Sequence, residues 1–223
     1  MLLAIDTSAG SSVAVVRADA GGERVLAQLS VDDSRRHAEL VGGLIAGCLA
    51  EAKLAAGEIE AVAVGMGPGP FTGLRVGIAA ATTFAFALGV PVLHVASHDA
   101  IALELLSSEP TPVLVTTDAR RRERYWSTYS GLDSAGIPVR VEGPAVAPLA
   151  GVDELATVSP VTTPEGYARH DATRVSAAWL GVLASRIRKH GREFAGPEPL
   201  YLRSPDVTVP GATKRVTDKR ASA

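Results

Sequence analysis

Two aspartates are the residues best placed for chemistry. Asp6 follows the apolar run Leu2–Ile5 and leads into Thr7-Ser8-Ala9-Gly10; Asp118 follows Val113–Thr117 and leads into Ala119 and three arginines. A carboxylate at a strand end, beside a turn of hydroxyls and glycine, can hold Mg²⁺ while backbone N–H groups close on phosphate oxygens. The first turn has both ingredients. The second, DARRRERYW, has no glycine, so half of a two-sided phosphate clamp is missing. That argues against autonomous ATP hydrolysis or sugar phosphorylation. A third candidate is GMGPGPFTGLR, residues 65–75, whose glycines and prolines precede a helix N-terminus, the usual setting of an anion site. It is neither a Walker A loop nor GxGxxG. It reads either as a rigid strand-to-helix turn or as a loop presenting Thr72 and Arg75 to a nucleotide or a partner. Asp6, Thr7 and Thr72 are therefore the candidate nucleotide contacts, and no residue is assigned a catalytic role.

The other reactive residue types point elsewhere. Among His37, His94, His98, His170 and His190, His94 and His98 are four apart, but Pro91 and a strand-like context precede His94, so the two should not share a helix face. No HExxH pair and no Ser-His-Asp or Cys-His arrangement stands out, and no metal is expected. The single cysteine, Cys48, excludes an internal disulfide and fits a reducing compartment. Arg120, Arg121, Arg122 and Arg124, beside Tyr125 and Trp126, read either as a solvated hairpin tip or as a phosphate contact with RNA. Lys214, Arg215, Lys219 and Arg220 read as a solubilising tail.

The elements that must position these residues follow from periodicity. The chain has 223 residues, 47% hydrophobic but only 4% aromatic, so its core is built from Ala, Val, Leu and Ile; a net charge of −2 gives no global pull toward nucleic acid or anionic membranes. Residues 2–5, 12–17 and 24–31 read as three antiparallel strands. A helix follows with His37, Val41, Leu44, Ile45, Cys48, Leu49 and Ala52 on one face, ended by Gly57. Next come strand 61–64, a helix opening at Thr72 or Gly73 and ending at Gly89, strand 90–95, and a third helix from Ser97 or His98 to Leu106. At Pro112 the pattern restarts: Val113–Thr117, Asp118, a turn, then Tyr125–Tyr129. Residues 131–163 read as short β-like pieces, 176–190 as a helix with Trp179, Leu180, Leu183 and Ile187 inward. The expected domains are a lobe at 1–105, a smaller degenerate lobe at 106–207 and a disordered basic tail at 208–223.

The second helix is unusual. Leu74, Ile78, Thr82, Ala85 and Leu88 form one stripe, yet Val76, Ala79, Ala80, Thr83, Phe84 and Phe86 cover the other sides. A helix apolar all round requires cover all round, within the chain or from a partner. Residues 76–97 carry no Asp, Glu, Lys or Arg and match a membrane span in length, but the break at Gly89–Pro91 favours a buried helix and strand. MLLAID meets Asp6 at once and does not read as a secretory signal; a soluble cytoplasmic protein is expected.

The β-β-β-α-β-α-β order resembles a lobe of the actin-like ATPase and sugar-kinase superfamily. MLLAIDTSAGSSVAV, RRHAEL, AVAVGMGPGPFTGLRVGIAAATTFAFALGVPV, SHDAIA, DARRRERYW and PLYLR resemble the bacterial TsaB (YeaZ-type) tRNA threonylcarbamoyladenosine biosynthesis family, with Pro70 where Ser is common. The resemblance implies an α/β, actin-like, ribonuclease H-like fold with a reduced second lobe. It implies a non-catalytic subunit for threonylcarbamoylation of adenosine beside the anticodon, paired with the catalytic paralogue TsaD, which carries a metal-binding HxxxH, and joined by the ATPase TsaE. tRNA is met through the complex; ATP or ADP belongs at the shared interface rather than on the isolated chain. The family's partner contact maps to residues 35–55 and 73–88, giving His37, Val41, Leu44, Ile45, Cys48, Arg75, Gly77, Ile78, Ala80, Ala81 and Phe84 as interface candidates. A homodimer through the same helices is the expectation for the chain alone. The alternative is a stand-alone actin-like ATPase or kinase using Asp6.

Overall fold

A computed structural model describes residues 1–32, 37–157 and 166–203; the basic tail at 208–223 and the side chain of His37 lie outside the described residues. The elements are β1 (Leu2–Asp6), β2 (Ser11–Asp19), β3 (Gly22–Val31), α1 (His37–Ala52), β4 (Ala61–Gly65), α2 (Phe71–Leu88), β5 (Val92–Val95), α3 (Ser97–Ser108), β6 (Val113–Asp118), β7 (Glu123–Leu132), β8 (Pro138–Pro148), α4 (Leu149–Thr157), β9 (Ala168–Asp171) and α5 (Ala177–Lys189). Sheet A has the order β3-β2-β1-β4-β5 and sheet B the order β8-β7-β6-β9. β1 pairs antiparallel with β2 and parallel with β4; β6 pairs antiparallel with β7 and parallel with β9. β6-β7-β8-α4-β9 thus repeats β1-β2-β3-α1-β4 in order and pairing, with no counterpart of β5 among the described residues. This is the actin-like α/β fold with a reduced second sheet.

β1, β4 and the first six residues of β2 are buried on both faces. Leu3, Ile5, Val13, Val15, Val62 and Val64 face α1 and α2, where they meet Val41, Ile45, Cys48, Ala81 and Ala85. The alternate residues Leu2, Ala4, Ala14, Val16, Ala61 and Ala63 face α5 and α3. The alanines on this inner face let a helix approach closely. Gly181 of α5 sits against it so tightly that an added Cβ would lie 2.7 Å from Val16 Cγ2 and 3.2 Å from Ala4 Cβ.

α5 lies within the stretch expected to form the second lobe, yet it packs on the first. Its N-terminal amides are satisfied by sheet A: Ala177 N donates to Ser12 Oγ (3.1 Å) and Ala178 N to Gln28 Oε1 (2.9 Å). Arg186 pairs with Glu23 of β3 at 3.6 Å. α3 makes the reciprocal crossing and packs on β6, β7 and β8. One core cluster therefore runs from sheet A through α5 and α3 to Val113, Val115 and Tyr129 of sheet B. The layers are α1 and α2, sheet A, α5 and α3, sheet B, then α4.

Other departures are local. α1 stops at Ala52 with Lys53 in the left-handed region (φ 56°), and residues 56–58 form a short 3-10 turn instead of extending the helix to Gly57. Residues 131–163, read as fragments, contain the 11-residue strand β8 and helix α4. β8 is an edge strand with register shifts against β7, so its alternation is broken and its apolar residues Val139 and Val141 are exposed. β9 is four residues long and carries only one apolar residue, which left it without a strand signal. Gly89 ends α2 in the left-handed conformation (φ 66°), as the sequence suggests.

Gly181→Val should force α5 off Ala4 and Val16 and destabilise the chain by about 1–3 kcal/mol. Gly43→Ala, where an added Cβ meets nothing within 4 Å, should stabilise it by roughly 0.5–1 kcal/mol through lower backbone entropy of the unfolded chain. Urea unfolding of the two variants distinguishes the signs.

Candidate functional site

The C-terminal end of β1 is the meeting point of the fold. Asp6 is 1% exposed. Its Oδ1 accepts from Ser8 N (2.8 Å) and Ser8 Oγ (2.6 Å), and its Oδ2 accepts from Ser97 Oγ (2.6 Å). Ser97 Oγ in turn accepts from Gly67 N at 3.1 Å. The carboxylate thus fastens β1 to the first residue of α3 and to the glycine–proline loop. Gly65 is required beside it, because a Cβ there would sit 1.8 Å from Asp6 Oδ2.

Thr7 serves a related purpose. Its Oγ1 donates to Gly73 O (2.7 Å) and accepts from Gly77 N (3.1 Å). Those are the carbonyl and amide that an α-helix pairs at i−4 and i. The hydroxyl bridges the first turns of α2 to β1, and a Cβ on Gly77 would fall 2.2 Å from it. Of the three candidate nucleotide contacts, Asp6 and Thr7 have side chains buried and bonded within the chain, while Thr72 is exposed on the first turn of α2.

The loop between β4 and α2 is buried from Met66 to Gly69, with a cis Gly67–Pro68 bond. The C-terminal segment seals it. Leu200 N donates to Met66 O (2.9 Å), and Tyr201 stacks on Phe71 at 4.6 Å between centroids. The Arg75 guanidinium lies 3.6 Å over the Phe71 ring and its Nε donates to Tyr201 Oη at 3.2 Å. Arg203 then reaches sheet B, donating from Nη1 to Ala119 O (2.9 Å) and pairing with Glu123 at 3.3 Å. Tyr125 Oη donates to Gly69 O at 3.4 Å across the same junction.

Polar contacts also line the α3–sheet B contact. His98 is fully buried between Ser127 Oγ and Thr117 Oγ1, each 2.9 Å from a ring nitrogen. Burial, assisted by the Arg140 charge, lowers its pKa to about 3. One turn edge away, Asp99 accepts from Tyr129 Oη (2.7 Å) and from Arg140 Nε and Nη2 (3.0 and 2.6 Å). The buried Tyr129 hydroxyl is held well above its ordinary pKa by burial and by the Asp99 charge.

Asp118 differs from Asp6 despite their matching positions. It is exposed, and its Oδ1 accepts from Arg120 N at 3.2 Å. Arg120, Arg121 and Arg122 are all left-handed (φ 64°, 51° and 64°). Each such residue costs an L-amino acid roughly 1–2 kcal/mol, a strain that glycine would not incur.

The partner candidates divide by face. Val41, Ile45, Cys48, Gly77 and Ala81 are buried against sheet A and position their helices. Burial raises the Cys48 thiol to about 11, and its Sγ donates to Val13 O at 3.1 Å. Leu44, Ile78, Ala80 and Phe84 are half-buried, and Arg75 is exposed in the aromatic stack. Only five of the 18 residues of α2 are buried. Thr82, expected on the inner stripe, is exposed, because the helix seats on Gly73, Gly77, Ala81 and Ala85. Phe86, absent from the candidates, is 87% exposed. The outer face of α2 presents Ala79, Thr82, Thr83 and Phe86, and that of α1 presents Gly42, Gly43 and Ala46. Close packing at Gly77 fixed this rotation, and the glycine's spacing from Gly73 was the available sequence signal.

A family model described as TsaD, tRNA N6-adenosine threonylcarbamoyltransferase, matches residues 30–168. The chain belongs to this family. Among the proteins it is similar to are relatives and solved structures of the TsaB (YeaZ) type. The TsaB of Haemophilus influenzae is 37% identical over 131 residues, covering 56% of this chain and 52% of that one. The structure of YeaZ from Pseudomonas aeruginosa matches with a TM-score of 0.70 and 28% identity, covering 90% of this chain and 99% of that one. An uncharacterized protein of Mycobacterium tuberculosis is 39% identical over 214 residues, 92% of each chain.

The His98 geometry makes a pH-dependent prediction for this TsaB-type fold. Its folded pKa lies below the unfolded value of 6.5, so its stabilising contribution is complete above that value and is lost as pH falls toward 3. The slope is about 1.4 kcal/mol per pH unit. Between pH 6.5 and 5 the chain should lose about 2 kcal/mol by urea unfolding, while ring NMR signals of His98 remain those of neutral imidazole.

Proposed function

We propose that this chain is the non-catalytic subunit of tRNA N6-threonylcarbamoyladenosine formation and acts by docking the outer faces of α1 and α2 onto TsaD. The observation that carries this is the exposed, nearly uncharged outer face of α2, with Phe86 projecting from it, on a helix whose inner face is locked to sheet A. Small residues at Gly42, Gly43, Ala46 and Ala79 let a second helix approach closely. The relatives' names supply the pathway. His94 lies on β5 and His98 on α3, with both His98 ring nitrogens bonded to Ser127 and Thr117, so the two do not form a helical metal-binding pair, which supports leaving the transfer chemistry to the partner.

On this reading TsaE and tRNA are met through the complex, in the cytoplasm, and ATP or ADP binds at the shared interface. Thr72 is the candidate contact that stays exposed for such a nucleotide. Alone, the chain covers the same apolar face by homodimerising. The helix long and apolar enough to span a membrane is this same α2, whose inner face and cap belong to the fold. A stand-alone kinase would need Asp6 open to Mg²⁺, and both its carboxylate oxygens accept hydrogen bonds inside the chain.

The double variant Ala79→Glu/Phe86→Glu should keep the thermal midpoint of the chain and weaken TsaD binding at least tenfold, about 1.4 kcal/mol, in titration calorimetry. Unchanged affinity would move the interface off α2. A charge at Ala81 is the wrong test, because Ala81 is fully buried and would unfold the core.

A further inference from the structure

We propose that the left-handed arginine tip, Arg120–Arg122, with the Phe71–Arg75–Tyr201 stack beside it, is a contact site for the RNA phosphate backbone. The proposal rests on the functional reading above for the identity of the RNA, but its site lies apart from the docking face.

The tip is exposed, yet its base is fixed. Ala119 N donates to Glu123 O (3.1 Å), Glu123 N to Arg120 O (2.9 Å) and Leu149 N to Arg122 O (3.0 Å). Arg203 braces it from the C-terminal segment through Ala119 O. Three consecutive left-handed residues turn the chain within the β6–β7 connection, so the arginine side chains leave it from adjacent positions of one tight turn. Guanidiniums held on a braced turn lose less freedom on meeting phosphate than those on a loose loop.

The local charge is strongly positive although the chain is not. Arg75, Arg120, Arg121, Arg122 and Arg203 gather around the tip and its flank with Asp118 and Glu123, against a net charge of −2 for the whole sequence, while Arg124 turns to the other face of sheet B, near Asp171. Glu123 and Arg203 offset each other as an ion pair, and Asp118, which accepts from the Arg120 amide, keeps its charge, so arginines still outnumber the acids at the tip. The flank is a cluster of the Arg75 guanidinium, over the Phe71 ring, with Tyr201 tilted 42° to that ring, rather than a flexible lysine cluster. Aromatic and guanidinium groups together suit nucleobases and ribose–phosphate chains better than a lipid surface. Phe71 and Phe86 lie about 22 Å apart along α2 at 1.5 Å per residue. The two ends of one helix can thus hold a protein partner and an RNA together.

The test uses the full chain, alone and with TsaD, and an unmodified tRNA transcript bearing the target adenosine. Fluorescence anisotropy across a salt series reads affinity and its slope. Arg121→Gly/Arg122→Gly removes two charges at positions whose backbone suits glycine, and folding is checked by thermal unfolding. The expected result is about a tenfold loss of tRNA affinity and a salt slope lower by about 2, since each lost phosphate contact removes roughly 0.9. TsaD binding stays at the wild-type value. Unchanged affinity and slope overturn the proposal even if TsaD still binds. If TsaD fails to bind while the RNA effect remains, the docking reading falls and this one stands. Equal loss on phosphatidylserine vesicles, with no change on tRNA, assigns the tip to lipid and overturns it.

Discussion

The Thr7 hydroxyl, set between Gly73 O and Gly77 N, fixes how closely α2 approaches sheet A. Asp6, one residue earlier, fastens the same strand end to Ser97 at the start of α3. Neither contact tolerates bulk: Gly65 and Gly77 stand where any side chain would overlap Asp6 or Thr7. The loop, the helix and the crossover into the second sheet all leave from this one point. A position that reads as the place for Mg²⁺ and phosphate is here a structural joint, because its oxygens are spent on hydroxyls and amides of the chain itself.

The joint has a counterpart in the middle layer. α3 is contributed by the first repeat and packs on sheet B, while α5 follows the second repeat and packs on sheet A. This exchange merges the two repeats into one core. Polar groups within it are satisfied rather than exposed: His98 lies between two hydroxyls, and Asp99 gathers Tyr129 and Arg140. Buried polar networks of this kind favour one arrangement of the sheets over alternatives, because shifting either sheet would strand several donors at once. The C-terminal segment adds a second tie outside the core, from Met66 and Phe71 to Ala119.

A core closed in this way leaves the outer face of α1 and α2 as the apolar surplus. Burial of the glycine and alanine ridge of α2 directs its bulkier residues sideways and outward, where Phe86 stands almost fully exposed. This arrangement is what the proposed docking role requires: one face of α2 maintains the fold and the other stays exposed.

Local sequence was enough for the strand–helix order of the first 108 residues, the restart near Pro112, the left-handed cap at Gly89 and the excess of apolar surface on α2. Each of these is written in local periodicity, turn chemistry or composition. The tertiary structure alone decided which residues on α2 are outward, because the deciding contact, Gly77 on Thr7, joins positions 70 residues apart. It alone showed Asp6 occupied, since Ser97 is 91 residues away in the chain. It alone moved α5 onto sheet A, where Ser12 and Gln28 complete its N-terminus. Hydrophobic pattern reports that a face must be buried; only long-range packing and hydrogen bonding choose the surface that covers it.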